Sequence, residues 1–211
     1  MSLLFPRKCL LCGKILERQE LDLCHSCRVD SPECKISREK LPFLDSWLAL
    51  WHYEGVARKS LIRYKFHNRR HQAAGYGRLL AMKLLKEREA EFDLITWVPI
   101  SRRRKLRRGY DQVELLAKAV GRELDMEPVR CLKKIRNNRP QSTVTGQAQR
   151  RANVLNAYRA ISPEQFQGKR VLLLDDIITT GATAGECARI LLTAGAKEVH
   201  CAAVASAIKN K

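Results

Sequence analysis

The sequence has no long apolar run. No stretch approaches the ~18 consecutive apolar residues that cross a bilayer, and the first residues, MSLLFPRKCLLCGK, reach a cysteine pair where a signal peptide would still need apolar residues. Internal repeats and low-complexity tracts are also lacking. We therefore expect a globular protein that is not inserted in a membrane and that lies in the cytoplasm. A chain of 211 residues can form one full core and one small additional module.

Acidic residues are scarce relative to basic ones. The chain has 22 Asp and Glu against 40 Lys and Arg, which gives a formal net charge of +18. An excess of this size indicates an anionic partner, which could be a polyanion, a phosphorylated ligand or an anionic membrane surface. Composition alone does not choose among them.

The eight cysteines do not fit the pattern of a small secreted disulfide protein, because the chain is larger and no secretion signal is evident. Four of them form two Cys-x-x-Cys pairs separated by eleven residues, a spacing typical of structural zinc sites. The alternatives are a redox-active pair or two pairs of buried thiols. We predict one zinc ion bound by Cys9, Cys12, Cys24 and Cys27. The other cysteines lack metal spacing and are expected to be small apolar residues: Cys34, Cys131, Cys187 and Cys201.

The remaining pattern alternates strands and helices. We expect a zinc-binding module with a linker over residues 1–40 and a second domain over residues 45–211. Apolar runs predict strands at 47–53, 93–98, 170–174 and 198–205, and helical spacing predicts helices at 56–66, 73–91, 112–124 and 182–193. Such alternation predicts an α/β fold whose mostly parallel sheet has helices on both faces. Residues 125–165 are expected to form a mobile insertion around one short helix.

The stretch VLLLDDIITTGAT carries the clearest chemical signal. In a parallel sheet ligands gather at the carboxyl ends of strands, so we expect Asp175 and Asp176 to lie beyond the end of their strand, in a crevice. The following residues, Thr179 to Thr183, supply backbone N–H groups at a helix start that favours an anion, and Gly181 and Ala182 let a phosphate approach closely. A ribose 5-phosphate satisfies both halves, with hydroxyls on the acids and phosphate on the loop.

Other interpretations of this stretch explain less. A capped helix start after a core strand accounts for one acid and one threonine, and a phosphoacceptor aspartate accounts for the acids without the loop. A Walker B strand would require a G-x-x-x-x-G-K-[ST] partner, which the sequence does not contain.

Six of the seven residues from 102 to 108 are basic. Most charge runs form solvated surfaces, but this one follows a predicted strand that would end in the same crevice as Asp175, so we expect ligand or nucleic-acid contacts. Tyr110 could stack on a base or pack under a helix. Four further basic residues of the insertion could close over an anion or remain solvated: Arg136, Arg139, Arg150 and Arg151.

VLLLDDIITTGAT resembles the phosphoribosyl-pyrophosphate (PRPP) motif of type I phosphoribosyltransferases. The four-Cys N-terminus, the YKF around Lys65, VPISRRRKLRRGYDQ, RPQ and AQRRANV together resemble the ComF family. The resemblance implies a Rossmann-like phosphoribosyltransferase domain beside the zinc module. It also implies a cytoplasmic role in natural transformation, with single-stranded DNA and the DNA-uptake machinery as partners. The alternative is an active phosphoribosyltransferase that moves phosphoribose from PRPP to a nitrogen acceptor in nucleotide or related metabolism.

The resemblance also implies roles for individual residues. Asp175 and Asp176 would bind the ribose hydroxyls of PRPP, and magnesium would sit on its pyrophosphate. The 5-phosphate would be bound by Thr179, Thr180, Gly181, Ala182 and Thr183. The expected pyrophosphate partners are basic side chains, namely Lys65, Arg103, Arg104 and Arg107.

Overall fold

A computed structural model describes residues 6–34, 40–87, 91–136 and 147–208. Its strands are β1 (Ser46–His52), β2 (Leu94–Trp97), β3 (Leu132–Lys134), β4 (Tyr158–Ala160), β5 (Arg170–Ile178) and β6 (Glu198–Ser206). Four of them form a parallel sheet in the order β1-β6-β5-β2, and β3 and β4 form a separate antiparallel pair. The predicted α/β class and parallel sheet are confirmed.

The helices are α1 (His25–Asp30), α2 (Gly55–Phe66), α3 (Gln72–Glu87), α4 (Arg102–Arg108), α5 (Gln112–Leu124), α6 (Gln147–Val154) and α7 (Ala182–Thr193), with a 3-10 turn at Pro163–Gln165. Within the described ranges, no helix combines the length and the apolar character that crossing a bilayer requires.

The central strands are apolar because both faces of the sheet are covered. Leu172 and Leu174 of β5 pack with α3 and α5 on one face, whereas Val171 and Leu173 pack with α7 on the other. This split follows from the two-residue period of a strand. A strand buried on both faces reads as a continuous apolar run, which is why VLLL identified β5 in the sequence.

Strand β5 is longer than the sequence predicts. It continues to Ile178, so Asp175 and Asp176 lie inside the strand, and the expectation that they lie beyond it is wrong. Their partner strand explains the difference: Asp175 still pairs with Ala203 of β6, whereas β2 ends at Trp97, opposite Leu174. The two acids are therefore beyond the end of β2 but within β5.

The segment from 125 to 165 also differs from expectation. It contains the β3–β4 pair, in which Leu132 lies opposite Ala160, as well as a 3-10 turn and α6. Each of these strands has three residues, which is too short for a periodic pattern to be recognised. The expectation of a single short helix is therefore incomplete.

The basic run forms a short helix, α4, directly after β2. The Ser101 hydroxyl caps it by accepting from the backbone N–H of Arg104, and Gly109 ends it with a φ of 75°. Because β2 and β5 are parallel neighbours in the sheet, α4 begins at the same carboxyl end of the sheet as the two acids. The predicted proximity of the run to Asp175 follows from this order.

The four-cysteine segment packs on helices α2 and α3. The carbonyl oxygen of Leu10 accepts hydrogen bonds from the Ser60 hydroxyl and the Gln72 amide, and Arg63 donates to the carbonyl oxygen of Leu11. Both carbonyl groups belong to the first Cys-x-x-Cys turn. Leu10 and Leu11 are buried in the same apolar cluster as α3, so the segment is part of the main core.

A second set of contacts continues this packing. Arg78 of α3 binds Asp22 through two nitrogens at 2.8 and 3.0 Å. The following residues run along β1, where the backbone N–H of His52 donates to Pro32 and that of Cys34 donates to Leu50. These contacts fix the cysteine segment relative to the sheet and to α2.

Candidate functional site

Two adjacent carboxylates occupy the carboxyl end of β5. Asp175 is 8% exposed and Asp176 is 5% exposed, which is unusual for acidic residues. Successive side chains of a strand point to opposite faces, so the two acids have different neighbours. They therefore need separate descriptions.

Asp176 is held by two protein donors. The Lys65 ammonium, at the end of α2, lies 2.8 Å from Oδ1, and the amide nitrogen of Gln112, at the start of α5, lies 2.8 Å from Oδ2. The structure thus brings Lys65 to the acids, as the sequence suggested. Its charge faces Asp176 in this structure, and Gln112 was not among the predicted site residues.

The surroundings of Asp175 raise its pKa. Its Oδ1 accepts from the backbone N–H of Asp176 at 2.7 Å. Burial, followed by repulsion from Asp176, raises its pKa to about 8, although Lys65 and Lys134 oppose this shift. The raised pKa favours the neutral form of Asp175, which reduces the negative charge of the pair.

The loop after β5 leads into helix α7. Gly181 is the N-cap residue of α7 with a φ of 72°, and as a glycine it has no side chain that could cap the helix. Among the described residues, buried Thr180 Oγ1 has no hydrogen-bond partner. A helix start of this kind favours an anion.

Gly181 has a second neighbour that the sequence did not indicate. A Cβ atom at this position would lie 2.7 Å from Leu41 Cδ2, so the side chain of Leu41 occupies that side of the glycine. The glycine is needed for its positive φ and for this packing. Phosphate approach is therefore left to the other residues of the loop, from 179 to 183.

Helix α4 presents two different faces. Arg103 and Arg107 are exposed, whereas Arg104 and Arg108 are half-buried. Arg108 was not singled out from the sequence, yet it lies near Asp176, whose charge acts against the desolvation that lowers the arginine's pKa. The four-residue spacing of Arg104 and Arg108 was the available signal, because it puts both on one helix face.

Lys134 is a further residue that sequence reasoning missed. It lies on β3, donates to the Tyr158 hydroxyl at 2.9 Å, and has a pKa lowered to about 8, mainly by burial and then by Arg104. It is also among the charges that act on Asp175. No sequence signal pointed to it, because β3 itself was not predicted.

The other candidates have simpler outcomes. Tyr110 is 6% exposed and donates to the carbonyl oxygen of Tyr64, so it packs under the neighbouring helix and offers no face for a base. Arg136 is exposed and donates to the carbonyl oxygen of Leu155. Arg139 and the RPQ element lie outside the described residues, as do the side chains of Arg150 and Arg151.

Unpaired buried polar atoms gather around the acids. Among the described residues, six buried side-chain nitrogen or oxygen atoms have no hydrogen-bond partner, and three of them belong to Arg108, Gln112 and Thr180. Such atoms are rare in native proteins because each one costs desolvation energy. Their concentration beside Asp176 and the α7 start indicates a site for a polar ligand.

The four predicted zinc ligands also come together. The sulfur atoms of Cys9, Cys12, Cys24 and Cys27 all lie within 4.8 Å of one another, and those of Cys12 and Cys24 are 3.7 Å apart. Tetrahedral zinc with Zn–S bonds of about 2.3 Å separates its sulfurs by about 3.8 Å. The spacing and the all-thiol donor set therefore fit zinc, which when bound would join the two Cys-x-x-Cys turns.

Comparison with known proteins gives consistent results. A family model described as "Phosphoribosyl transferase domain" matches residues 106–211, which include the acids and the loop. Competence protein ComFC of Streptococcus pneumoniae is 32% identical over 91% of this chain and 96% of its own length. Competence protein F of Haemophilus influenzae is 30% identical over 75% of this chain and 72% of its own length. DNA utilization protein YhgH of Escherichia coli K12 is 28% identical over 91% of this chain and 87% of its own length.

The cysteine cluster generates a first prediction. Purified protein should contain one zinc per chain, and the Cys9→Ser/Cys24→Ser variant should lose it, because two thiolates cannot complete the tetrahedron. Hydrogen exchange should then rise in residues 8–27 and in the second and third turns of α2, whose Ser60 and Arg63 bind Leu10 and Leu11. The measurements are metal analysis and exchange mass spectrometry.

Cys131→Ala is the matched control, since it removes a buried thiol outside the cluster and should retain zinc. A protein without zinc, or a double variant with unchanged exchange, would contradict the assignment.

The raised pKa of Asp175 generates a second prediction. The folded state keeps a proton that the unfolded state releases above about pH 4, so stability falls as pH rises from there towards the folded pKa of about 8. Asp175→Asn stays neutral. Its stability relative to the unmodified protein should therefore increase between about pH 5 and about pH 8, by at most about 1.4 kcal/mol per pH unit. Denaturant titrations at several pH values measure this.

Asp93→Asn is the control with the opposite sign. Arg170 holds the pKa of Asp93 well below its usual range, so this substitution should cost the same stability throughout that pH window. An Asp175→Asn variant with the same flat profile would show that burial does not shift Asp175.

Proposed function

The chain belongs to the ComF family and contains its phosphoribosyl transferase domain, and from this premise we propose that it binds PRPP or ribose 5-phosphate with magnesium and handles single-stranded DNA in natural transformation. Two of the relatives are named competence proteins and another a DNA utilization protein. The phosphoribosyl transferase domain supports a PRPP-type ligand, and the names of the relatives support a role in competence.

One observation carries the ligand part of the proposal. The buried pair Asp175 and Asp176, near the end of β5, is followed a few residues later by the start of α7, whose N-cap residue is Gly181. A ribose 5-phosphate has hydroxyl donors at one end and a phosphate at the other, so it matches acceptors on the acids and backbone donors on the loop. Among the described residues, the unpaired buried atoms include those of Gln112 and Arg108, which lie near Asp176, and of Thr180, just before the N-cap of α7.

The charges around the acids favour an anionic ligand. Burial raises the pKa of Asp175 and Lys65 pairs with Asp176, so the acids repel a phosphate less than two bare carboxylates would. The half-buried side chains of Arg104, Arg108 and Lys134 add positive charge near the two acids. Magnesium fits a ligand-borne position on the pyrophosphate, because it prefers phosphate oxygens and retains water, while the protein carboxylates already have protein donors.

The DNA part of the proposal is supported by a basic surface beside this site. We call it the basic rim and define it by α4 and residues 67–71, HNRRH. The guanidinium group of Arg70 lies 4.9 Å from the Tyr110 ring and that of Arg108 lies 4.8 Å from the Phe66 ring, so the two segments are adjacent. Arg69, Arg70 and the outer arginines of α4 are exposed.

This arrangement divides the arginines between two ligands. The inward residues, Arg104 and Arg108, suit the pyrophosphate, whereas the outward ones, Arg103 and Arg107, suit a nucleic-acid backbone. Phe66 is 58% exposed beside Arg108 and offers an aromatic edge to an unstacked base. We therefore propose neighbouring sites for PRPP and single-stranded DNA.

Calorimetry tests the ligand site. Ribose 5-phosphate and PRPP should bind in the presence of magnesium, and Asp175→Asn/Asp176→Asn should weaken binding, because the lost charge-assisted hydrogen bond of Asp176 alone costs about 1.5 to 3 kcal/mol. Asp93→Asn, which changes an exposed carboxylate just before β2, at the amino end of the sheet, should bind as the unmodified protein does.

Unchanged affinity in the double variant would refute the site. Pyrophosphate release that depends on an added amine or base would instead establish the transferase alternative.

Salt dependence tests the DNA surface. Each phosphate contact with single-stranded DNA gives a slope of about −0.7 in a plot of log affinity against log salt, so Arg103→Ala/Arg107→Ala should flatten the slope by about 1.4 while PRPP affinity is retained. Fluorescence anisotropy with a labelled oligonucleotide measures the slope. Lys86→Ala/Arg122→Ala is the control of equal charge, because both residues are exposed and lie outside the basic rim. If the control flattens the salt slope by the same amount, DNA binding depends on net charge alone and not on the basic rim.

A further inference from the structure

Gln112 combines burial with an unpaired acceptor. It is the first residue of α5 and is 3% exposed. Its amide nitrogen donates to Asp176 at 2.8 Å, whereas its amide oxygen, Oε1, is buried and has no hydrogen-bond partner among the described residues. A buried carbonyl oxygen without a donor is a deficit that a bound ligand can correct.

The orientation of this amide follows from its neighbours. Lys65 pairs with Asp176, so the carboxylate accepts hydrogen bonds and the amide must turn its NH₂ group towards it. The oxygen then faces the other way. The opposite orientation would set the amide oxygen against a carboxylate oxygen and leave both without a donor.

The backbone of Gln112 is also fixed. Its carbonyl oxygen accepts from the Tyr64 hydroxyl at 2.6 Å, and Tyr64 is the residue before Lys65 on α2. The preceding residue, Asp111, caps α5 through the backbone N–H groups of Val113 and Glu114 and also accepts from that of Ile100. Gln112 is therefore held in place from α2, α5 and the end of β2, as a preorganised binding residue would be.

We propose that the Gln112 amide oxygen accepts a hydrogen bond from a ring hydroxyl of the bound ribose, next to the hydroxyl that Asp176 binds. This inference rests on the proposed function and assigns a residue to the sugar part of that site. A hydroxyl supplies one donor, which is what Oε1 lacks. A sugar without that hydroxyl would leave the buried oxygen unpaired, so Gln112 selects ribose over deoxyribose at this position.

The selectivity has a consequence for DNA. A site that requires both ring hydroxyls disfavours the deoxyribose of a DNA strand. The strand is then left to the basic rim while the sugar site is reserved for PRPP or ribose 5-phosphate. PRPP and the DNA strand would bind at neighbouring positions on one face, and neither would enter the site of the other.

The test compares ligands that differ by one hydroxyl. Full-length protein is titrated calorimetrically, with magnesium, against ribose 5-phosphate, 2-deoxyribose 5-phosphate and 3-deoxyribose 5-phosphate. Gln112→Met keeps the length of the side chain and removes the amide. We expect it to bind ribose 5-phosphate about 10- to 100-fold more weakly and to discriminate less against one of the deoxy sugars. Equal discrimination in the variant and the unmodified protein would overturn the proposal.

A double variant separates contact from positioning. If Gln112 acts only by orienting Asp176, Gln112→Met has no further effect in an Asp176→Asn background. If it contacts the sugar, the additional loss persists, and we expect at least about a fivefold loss. Zinc content and affinity for inorganic phosphate should stay unchanged. Should Gln112→Met fail to fold, Gln112→Asn gives the same comparison, because it withdraws the amide by one methylene.

The outcomes distinguish this inference from the proposed function. Unmodified protein that binds inorganic phosphate but no ribose 5-phosphate would refute the proposed function. Ribose 5-phosphate binding that is equally tight in Gln112→Met would refute only the role of Gln112.

Discussion

The ion pair between Lys65 and Asp176 connects the main parts of the structure. It joins the end of α2 to the end of β5 with an N–O distance of 2.8 Å. Ion pairs of this burial contribute little net stability because both charges lose hydration, although breaking one leaves a costly unpaired charge. The position of Lys65 therefore depends on other contacts of α2. These are supplied by the Cys-x-x-Cys turn through Ser60 and Arg63, so the predicted zinc cluster and the acidic site share one helix.

The two acids of β5 have different roles because a strand turns them to opposite faces. Asp176 has donors in Lys65 and Gln112, whereas burial raises the pKa of Asp175, and buried atoms of Arg108, Gln112 and Thr180 have no partner among the described residues. The burial of Asp175 and the three unpaired atoms cost folding energy in the absence of ligand. Features that reduce stability persist in native proteins mainly where binding or catalysis requires them. The family assignment and these local energetics thus point to the same end of the sheet.

Long periodic elements were predictable from the sequence. Helices α5 and α7 match the predicted ranges 112–124 and 182–193, because apolar periodicity and turn residues agree at both helices. The cysteine cluster was predictable from spacing alone. Strand β5 was predicted too short, since aspartates rarely occur in strands and only its pairing with β6 carries it to Ile178. The four-residue spacing of Arg104 and Arg108 was a local signal for Arg108, whereas Gln112 and Lys134 join the site through tertiary contacts of α5 and β3, which no local pattern encodes.

The most direct test of the central claim is a crystal structure of the protein with PRPP and magnesium. We predict ribose hydroxyls within hydrogen-bond distance of Asp175, Asp176 and Gln112 Oε1, with the 5-phosphate at residues 179–183 and the pyrophosphate beside Arg104 and Arg108. Density for the ligand at another surface, or an empty β5 end at saturating PRPP, would contradict the account.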